Sequence, residues 1–176
     1  MPSEVVRCNV PVASLIYPQV TRASFIDAQQ VVLADSHRPA MACFLDVMAG
    51  MPGWIDNLMA LRNRVVQAFG LKDLGRLTRI DRQRDPASYQ PGERVGVFTL
   101  IRNTAEEVLL VDRDKHLDVY ISLLCKPATV DDTRTVVVST VVHTHNLLGR
   151  LYMLPVAPFH RFIAPIALGR LLRTQP

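Results

Sequence analysis

The chain has 176 residues, of which 49% are apolar and 20% are charged, and its net charge is +4. This length predicts one domain that buries a sizeable core without needing disulfide bonds or a metal ion for stability. The Lys and Arg residues are dispersed rather than gathered in a block, so nucleic-acid binding is not indicated. Three separate cysteines form neither a CxxC pair nor a disulfide framework, and the first residues lack an apolar signal run. A reduced, cytoplasmic setting is therefore predicted.

The first half of the chain predicts a lead-in followed by a strand and two helices. Residues 1–23 contain three prolines and predict an irregular segment that lies across the body of one domain, 24–173. Residues 24–33 predict the first strand, and residues 40–49 a short helix. Residues 54–69 predict a second helix because their apolar residues recur every three or four positions.

The middle of the chain predicts a series of strands joined by short turns, which pair as antiparallel neighbours. They are expected at residues 76–81, 94–101, 107–112, 116–124 and 134–145. In 116–124, four apolar residues alternate with His116, Asp118, Tyr120 and Ser122, so these two sets lie on opposite sides of the sheet. The β-branched run at 134–145 predicts a central strand.

The last segment, 146–173, predicts a long helix that is broken by Pro155, Pro158 and Pro165. Its uncharged runs are shorter than the roughly 20 apolar residues that a spanning helix needs, and prolines would leave hydrogen bonds that lipid cannot replace. A core helix is predicted instead of a membrane span, and peripheral membrane contact by this basic, apolar end stays open. The fold class is α+β, with a curved antiparallel sheet gripping the C-terminal helix.

Three stretches resemble the DUF2867 family of uncharacterised bacterial proteins, within the START-like (SRPBCC, helix-grip) superfamily. They are PGWIDNLMALRNRVVQAFGL at 52–71, DKHLDVYISL at 114–123 and GRLYMLPVAPFHRFI at 149–163. The resemblance covers about residues 24–173. It implies a curved sheet around a long helix with a cavity between them. It implies no activity and no catalytic residues.

Polar residues near one end of the predicted sheet are the candidates for chemistry. His143 and His145 lie on one side of a strand and could share a metal with a third ligand, although solvated strand-end residues explain the same pattern. His116, Asp118 and His143 are candidate acid–base groups for a cyclase- or hydratase-type enzyme. No glycine-rich phosphate loop occurs, so no nucleotide cofactor is predicted.

The leading functional prediction is an apolar cavity that binds a small hydrophobic molecule. The candidate lining residues are Phe98, Tyr120, Tyr152 and Phe159. His160 and Arg161 are interpreted as partners for backbone freed by the prolines, with a role at the cavity mouth as the alternative. An interaction module or homodimer, using a sheet edge or the last helix, is the remaining alternative.

Overall fold

A computed structural model describes residues 4–34, 37–51, 53, 83–128 and 133–172. The helix predicted at 54–69 and the strand predicted at 76–81 lie outside the described residues. The first strand and first helix are confirmed, because a strand covers Phe25–Leu33 and a helix covers Ala40–Ala49.

The described strands form one seven-stranded antiparallel sheet. They are β1 (Val6–Arg7), β2 (Phe25–Leu33), β3 (Arg94–Val95), β4 (Phe98–Asn103), β5 (Glu107–Arg113), β6 (Leu117–Cys125) and β7 (Arg134–Thr144). Their spatial order is β1-β2-β7-β6-β5-β4-β3. The long β-branched strand β7 pairs with β2 on one side and β6 on the other, which confirms its predicted central position.

Two α-helices accompany the sheet in the described residues. Helix α1 (Ala40–Ala49) follows β2, and helix α2 (Leu147–Leu168) follows β7 and continues into a 3-10 turn at Gly169–Leu172. Helix α2 contacts β2 and β7. The predicted α+β class, with an antiparallel sheet packed against a long C-terminal helix, is therefore confirmed.

The single strand predicted at 94–101 is wrong, because the chain reverses inside it. Arg94 pairs with Thr99 and Val95 with Phe98, so β3 and β4 form a hairpin whose connection is Gly96-Val97. Gly96 has a φ of 60°, a left-handed conformation that glycine adopts without steric cost. The alternation of apolar residues across the turn hid this reversal.

The prolines do not break α2, contrary to the prediction. All three lie inside one helix. Each lacks the N–H that would bond the carbonyl four residues earlier, which frees the carbonyls of Leu151, Leu154 and Arg161. These three residues are exposed, so water can replace the lost donors at their carbonyls.

Helix α2 is also less buried than a core helix would be. Its buried residues are Gly149, Met153, Ala167 and Leu168. Five large apolar residues on the same helix are exposed: Leu147, Leu151, Leu154, Phe159 and Phe162. The helix carries more apolar residues than its packed side can bury, so its sequence alone predicts more burial than the structure shows.

The sheet has two sides that are covered differently. The helix-facing side packs against α1 and the C-terminal turn through a main cluster that includes Val31, Leu110 and Leu123. The opposite side, here called the N-terminal side, packs against Val10 and Ile16 of the lead-in segment. The lead-in thus lies across the sheet, and it also contributes β1 at the sheet edge.

Candidate functional site

The helix-facing side of the sheet carries two apolar clusters rather than one. The main cluster lies towards α1, and a smaller cluster joins Phe25, Leu117 and Val142 to Met153 of α2. Between the buried residues of these clusters, three side chains of the interior strands β6 and β7 are only partly buried: Val119, Ile121 and Val138. We call this incompletely covered area the gap, with those three side chains as its floor.

Polar side chains lie beside the gap, towards β2. Asp27 pairs across the strands with Thr140, which in turn pairs with Ile121, so all three face the helix side. Gln29 likewise pairs with Val138. Asp27, Gln29 and Thr140 are all buried. The gap therefore combines an apolar floor with a polar wall towards β2, and the buried carboxylate of Asp112 lies beside Val119 on the β5 side.

Asp27 is a buried carboxylate held by three side chains. Its Oδ1 accepts a hydrogen bond of 3.2 Å from Arg7 Nη2, and its Oδ2 lies 3.4 Å from Gln29 Nε2 and 3.3 Å from His160 Nδ1. Burial acts to raise the pKa of Asp27. The close His160 side chain, 3.3 Å away and attractive through its charge, and the hydrogen bonds from Gln29 and Arg7 outweigh burial and lower the pKa of Asp27 below its ordinary value.

His160 projects from α2 towards β2. Its ring packs edge-on against Phe25 at a centroid distance of 5.5 Å, and its side chain is 28% exposed. Nδ1 lies 3.3 Å from the Asp27 carboxylate without the geometry of a hydrogen bond, and Nε2 forms no hydrogen bond with any residue that the structure describes. An imidazole with one nitrogen fixed by a carboxylate can offer the other nitrogen to a ligand or a proton.

The four predicted lining residues are not brought together. Phe98 is buried in the main cluster, and Tyr120 lies on the N-terminal side with its ring 6.1 Å from that of His143. Tyr152 packs beside the smaller cluster, and Phe159 is exposed on the outer surface of α2.

The predicted acid–base and metal candidates stabilise the ends of elements. His143 Nε2 lies 2.8 Å from the Gln19 carbonyl oxygen, and His145 Nε2 lies 3.2 Å from Asp118 Oδ1. His116 contacts Asn146, the residue that caps the start of α2. Within the described ranges, no three His, Cys, Asp or Glu side chains are grouped as metal ligands.

Sequence reasoning did not single out Asp27, and it gave His160 a backbone role. A signal for Asp27 was present in the first strand. Side chains two residues apart share one side of a strand, which puts Asp27 and Gln29 on the same side as Phe25 and Val31. Two polar residues on the apolar side of a strand require buried partners. Their partner His160 lies far away in sequence, so no local pattern could join them.

The comparison with family models identifies the family of this chain. The model described as "Protein of unknown function (DUF2867)" matches residues 20–167, a range that includes both Asp27 and His160. The chain belongs to this family. No curated protein and no solved structure matches it.

Proposed function

We propose that this protein is a helix-grip member of the START-like superfamily and binds a small hydrophobic molecule in the gap. One observation carries the proposal. Val119, Ile121 and Val138 keep accessible surface on the helix-facing side of the sheet, whereas their neighbours Leu123 and Val136 are fully buried. Apolar side chains on interior strands that remain partly accessible offer surface against which an apolar ligand can bury its own surface, and this burial contributes favourable binding free energy. The strand order and the long C-terminal helix support the superfamily assignment.

The polar wall defines the class of ligand. Its apolar body rests on the three floor residues, and one polar group reaches His160 Nε2. Asp27 is buried beside that imidazole, and its negative charge is already paired with Arg7, so the wall does not require an ionised ligand group. A hydroxyl or carbonyl group is the better match, since it exchanges one hydrogen bond without adding charge.

A neutral fluorescent probe, phenylnaphthylamine, tests this proposal by titration. Val138→Phe fills the gap and is expected to weaken saturable probe binding by about tenfold or more. Val32→Phe is the matched control, because Val32 is 41% exposed and points to the other side of the sheet. Folded wild-type protein that shows no saturable binding would contradict the proposal, and so would equal binding by Val138→Phe.

Acid–base catalysis in the same site is the second candidate function. The Asp27–His160 pair favours it, because a carboxylate that orients an imidazole prepares the second nitrogen to move a proton. The test begins with native mass spectrometry to capture a co-purified molecule. That molecule is then incubated with wild type and with His160→Gln. Conversion by wild type alone supports an enzyme, and retention of the unchanged molecule by both supports a binding protein.

A further inference from the structure

The outer surface of α2 carries a continuous apolar stripe. Its residues follow one another at intervals of three or four positions, which places them on one side of the helix. They are Leu147, Leu151, Leu154, Pro158 and Phe162, all exposed. Phe159 adds a second exposed ring beside them. The segment Leu147–Leu172, which is α2 with its 3-10 turn, is long and apolar enough to cross a membrane. Only 17% of its most apolar 18-residue stretch is buried inside the protein.

The charges on this helix have one sign. Residues 147–172 contain no Asp or Glu. Arg150 and Arg161 are exposed, and each directly precedes a stripe residue, Leu151 or Phe162. The guanidinium carbon of Arg161 also lies 5.4 Å from the centroid of the Phe25 ring. The two arginines are eleven residues apart, about three helical turns, so they lie along the same edge of the stripe.

We propose that this stripe docks α2 on an anionic lipid surface, parallel to the membrane. The leucine and phenylalanine side chains enter the boundary between headgroups and acyl chains, and Arg150 and Arg161 contact lipid phosphates. An apolar helix side bordered only by positive charge matches that environment in both hydrophobicity and sign. This proposal concerns the outer side of α2 and does not rest on the proposed ligand.

Two features favour the interface over a transmembrane position. The inner side of α2 is packed on the protein through Met153, Ala167 and Leu168. The prolines free the carbonyls of Leu151, Leu154 and Arg161 on exposed residues, and these carbonyls need water or headgroup donors that the hydrocarbon core lacks. At the depth of the headgroups both requirements are met.

Vesicle flotation tests the proposal. Full-length protein is mixed with vesicles of phosphatidylcholine alone or of phosphatidylcholine with phosphatidylglycerol. Wild type is expected to float with the anionic vesicles, and less so at high salt. Leu154→Glu with Phe162→Glu should reduce binding by about tenfold or more, because both charges would enter the interface. Arg150→Gln with Arg161→Gln should reduce the preference for anionic lipid.

A glutamate placed elsewhere on the surface of the protein serves as the control. Val12→Glu adds a negative charge at a residue that is 75% exposed and lies on the lead-in segment, so it should float like wild type. Failure of folded wild type to float overturns the proposal, as does equal loss in the control. Light scattering tests the alternative that a second copy of the chain covers the stripe. If wild type is a dimer that does not bind vesicles, and the double glutamate variant is a monomer, then a second copy is the occupant and the proposal is overturned.

Discussion

Both sides of the sheet bury acidic side chains, and two of these, Glu107 and Asp27, are held in different ways. On the N-terminal side, Glu107 accepts hydrogen bonds of 2.5 Å from Ser14 Oγ and Ser122 Oγ, and Leu15 N donates to it at 2.9 Å. On the helix-facing side, Asp27 is held by long side chains, including His160 of α2.

The difference lies in what the donors can do. The donors to Glu107 are hydroxyl and backbone groups that join the lead-in segment to the sheet and leave no titratable group open. His160 keeps a second nitrogen available beside a partly covered apolar floor. Burial of a carboxylate alone is therefore no sign of function, whereas the character of its partners distinguishes a structural anchor from a site.

Removal of Glu107 should have the largest effect on stability. Glu107→Ala leaves Ser14, Ser122 and Leu15 N with unmatched buried donors, and we expect a loss of about 3 to 4 kcal/mol in the free energy of unfolding. Glu106→Ala is the control, because that side chain is exposed, and should change it by less than about 0.5 kcal/mol. Urea denaturation measures both. Similar losses in the two variants would mean that Glu107 is no anchor.

The second largest effect on stability is expected where α2 contacts His116, the residue before β6. A Cβ at Gly149 would overlap the carbonyl oxygen of His116, so Gly149→Ala should shift the start of α2 and cost about 2 to 3 kcal/mol. At Gly169 the nearest atom to an added Cβ is Val5 Cγ2 at 3.7 Å, so Gly169→Ala should be neutral or stabilising. Thermal unfolding of both variants decides the matter. A tolerated Gly149→Ala would contradict close docking of α2.

The gap itself is probed by two valines on the same side of β7. Val136 is fully buried, so Val136→Phe should overpack the core and cost about 1 to 3 kcal/mol. Val138 is only partly buried and lies on the floor of the gap, so Val138→Phe should lower the free energy of unfolding clearly less than Val136→Phe does. Chemical denaturation under one set of conditions compares them. An equal or greater cost at Val138 would show that no room exists there.

The smallest effect concerns pH. The pKa of Asp27 in the folded protein lies below its ordinary value of 3.8. The carboxylate therefore stabilises the fold fully above that ordinary value, and this contribution is lost as the pH falls through the lower folded pKa. Asp27→Asn should cost about 1 kcal/mol at neutral pH and flatten the acid limb of the stability curve. An unchanged acid limb would refute the role given to Asp27.

The sequence predicted most of the described fold because strand alternation and helix periodicity are local patterns. It located β2, α1, β5, β6, β7 and the C-terminal helix. The hairpin at Gly96 was missed because apolar residues continue on both sides of the turn. The exposure of α2 was missed because an apolar stripe looks the same whether it faces a core or a surface.

The candidate site was harder to predict than the fold. Asp27 and His160 lie at opposite ends of the chain and meet only because α2 packs on β2. The side of the sheet that faces the helix is also undetermined by alternation alone. Tyr120 and His143 therefore became candidates, although their side chains face the lead-in segment.

Methyl NMR of isoleucine-labelled protein tests the ligand-binding proposal most directly. Ile121 lies on the floor of the gap, and Ile16 is fully buried on the N-terminal side. Titration with phenylnaphthylamine should shift the Ile121 methyl resonance in a saturable manner and leave Ile16 unchanged. An unchanged Ile121 at saturation, or a shift confined to Ile16, would contradict binding in the gap.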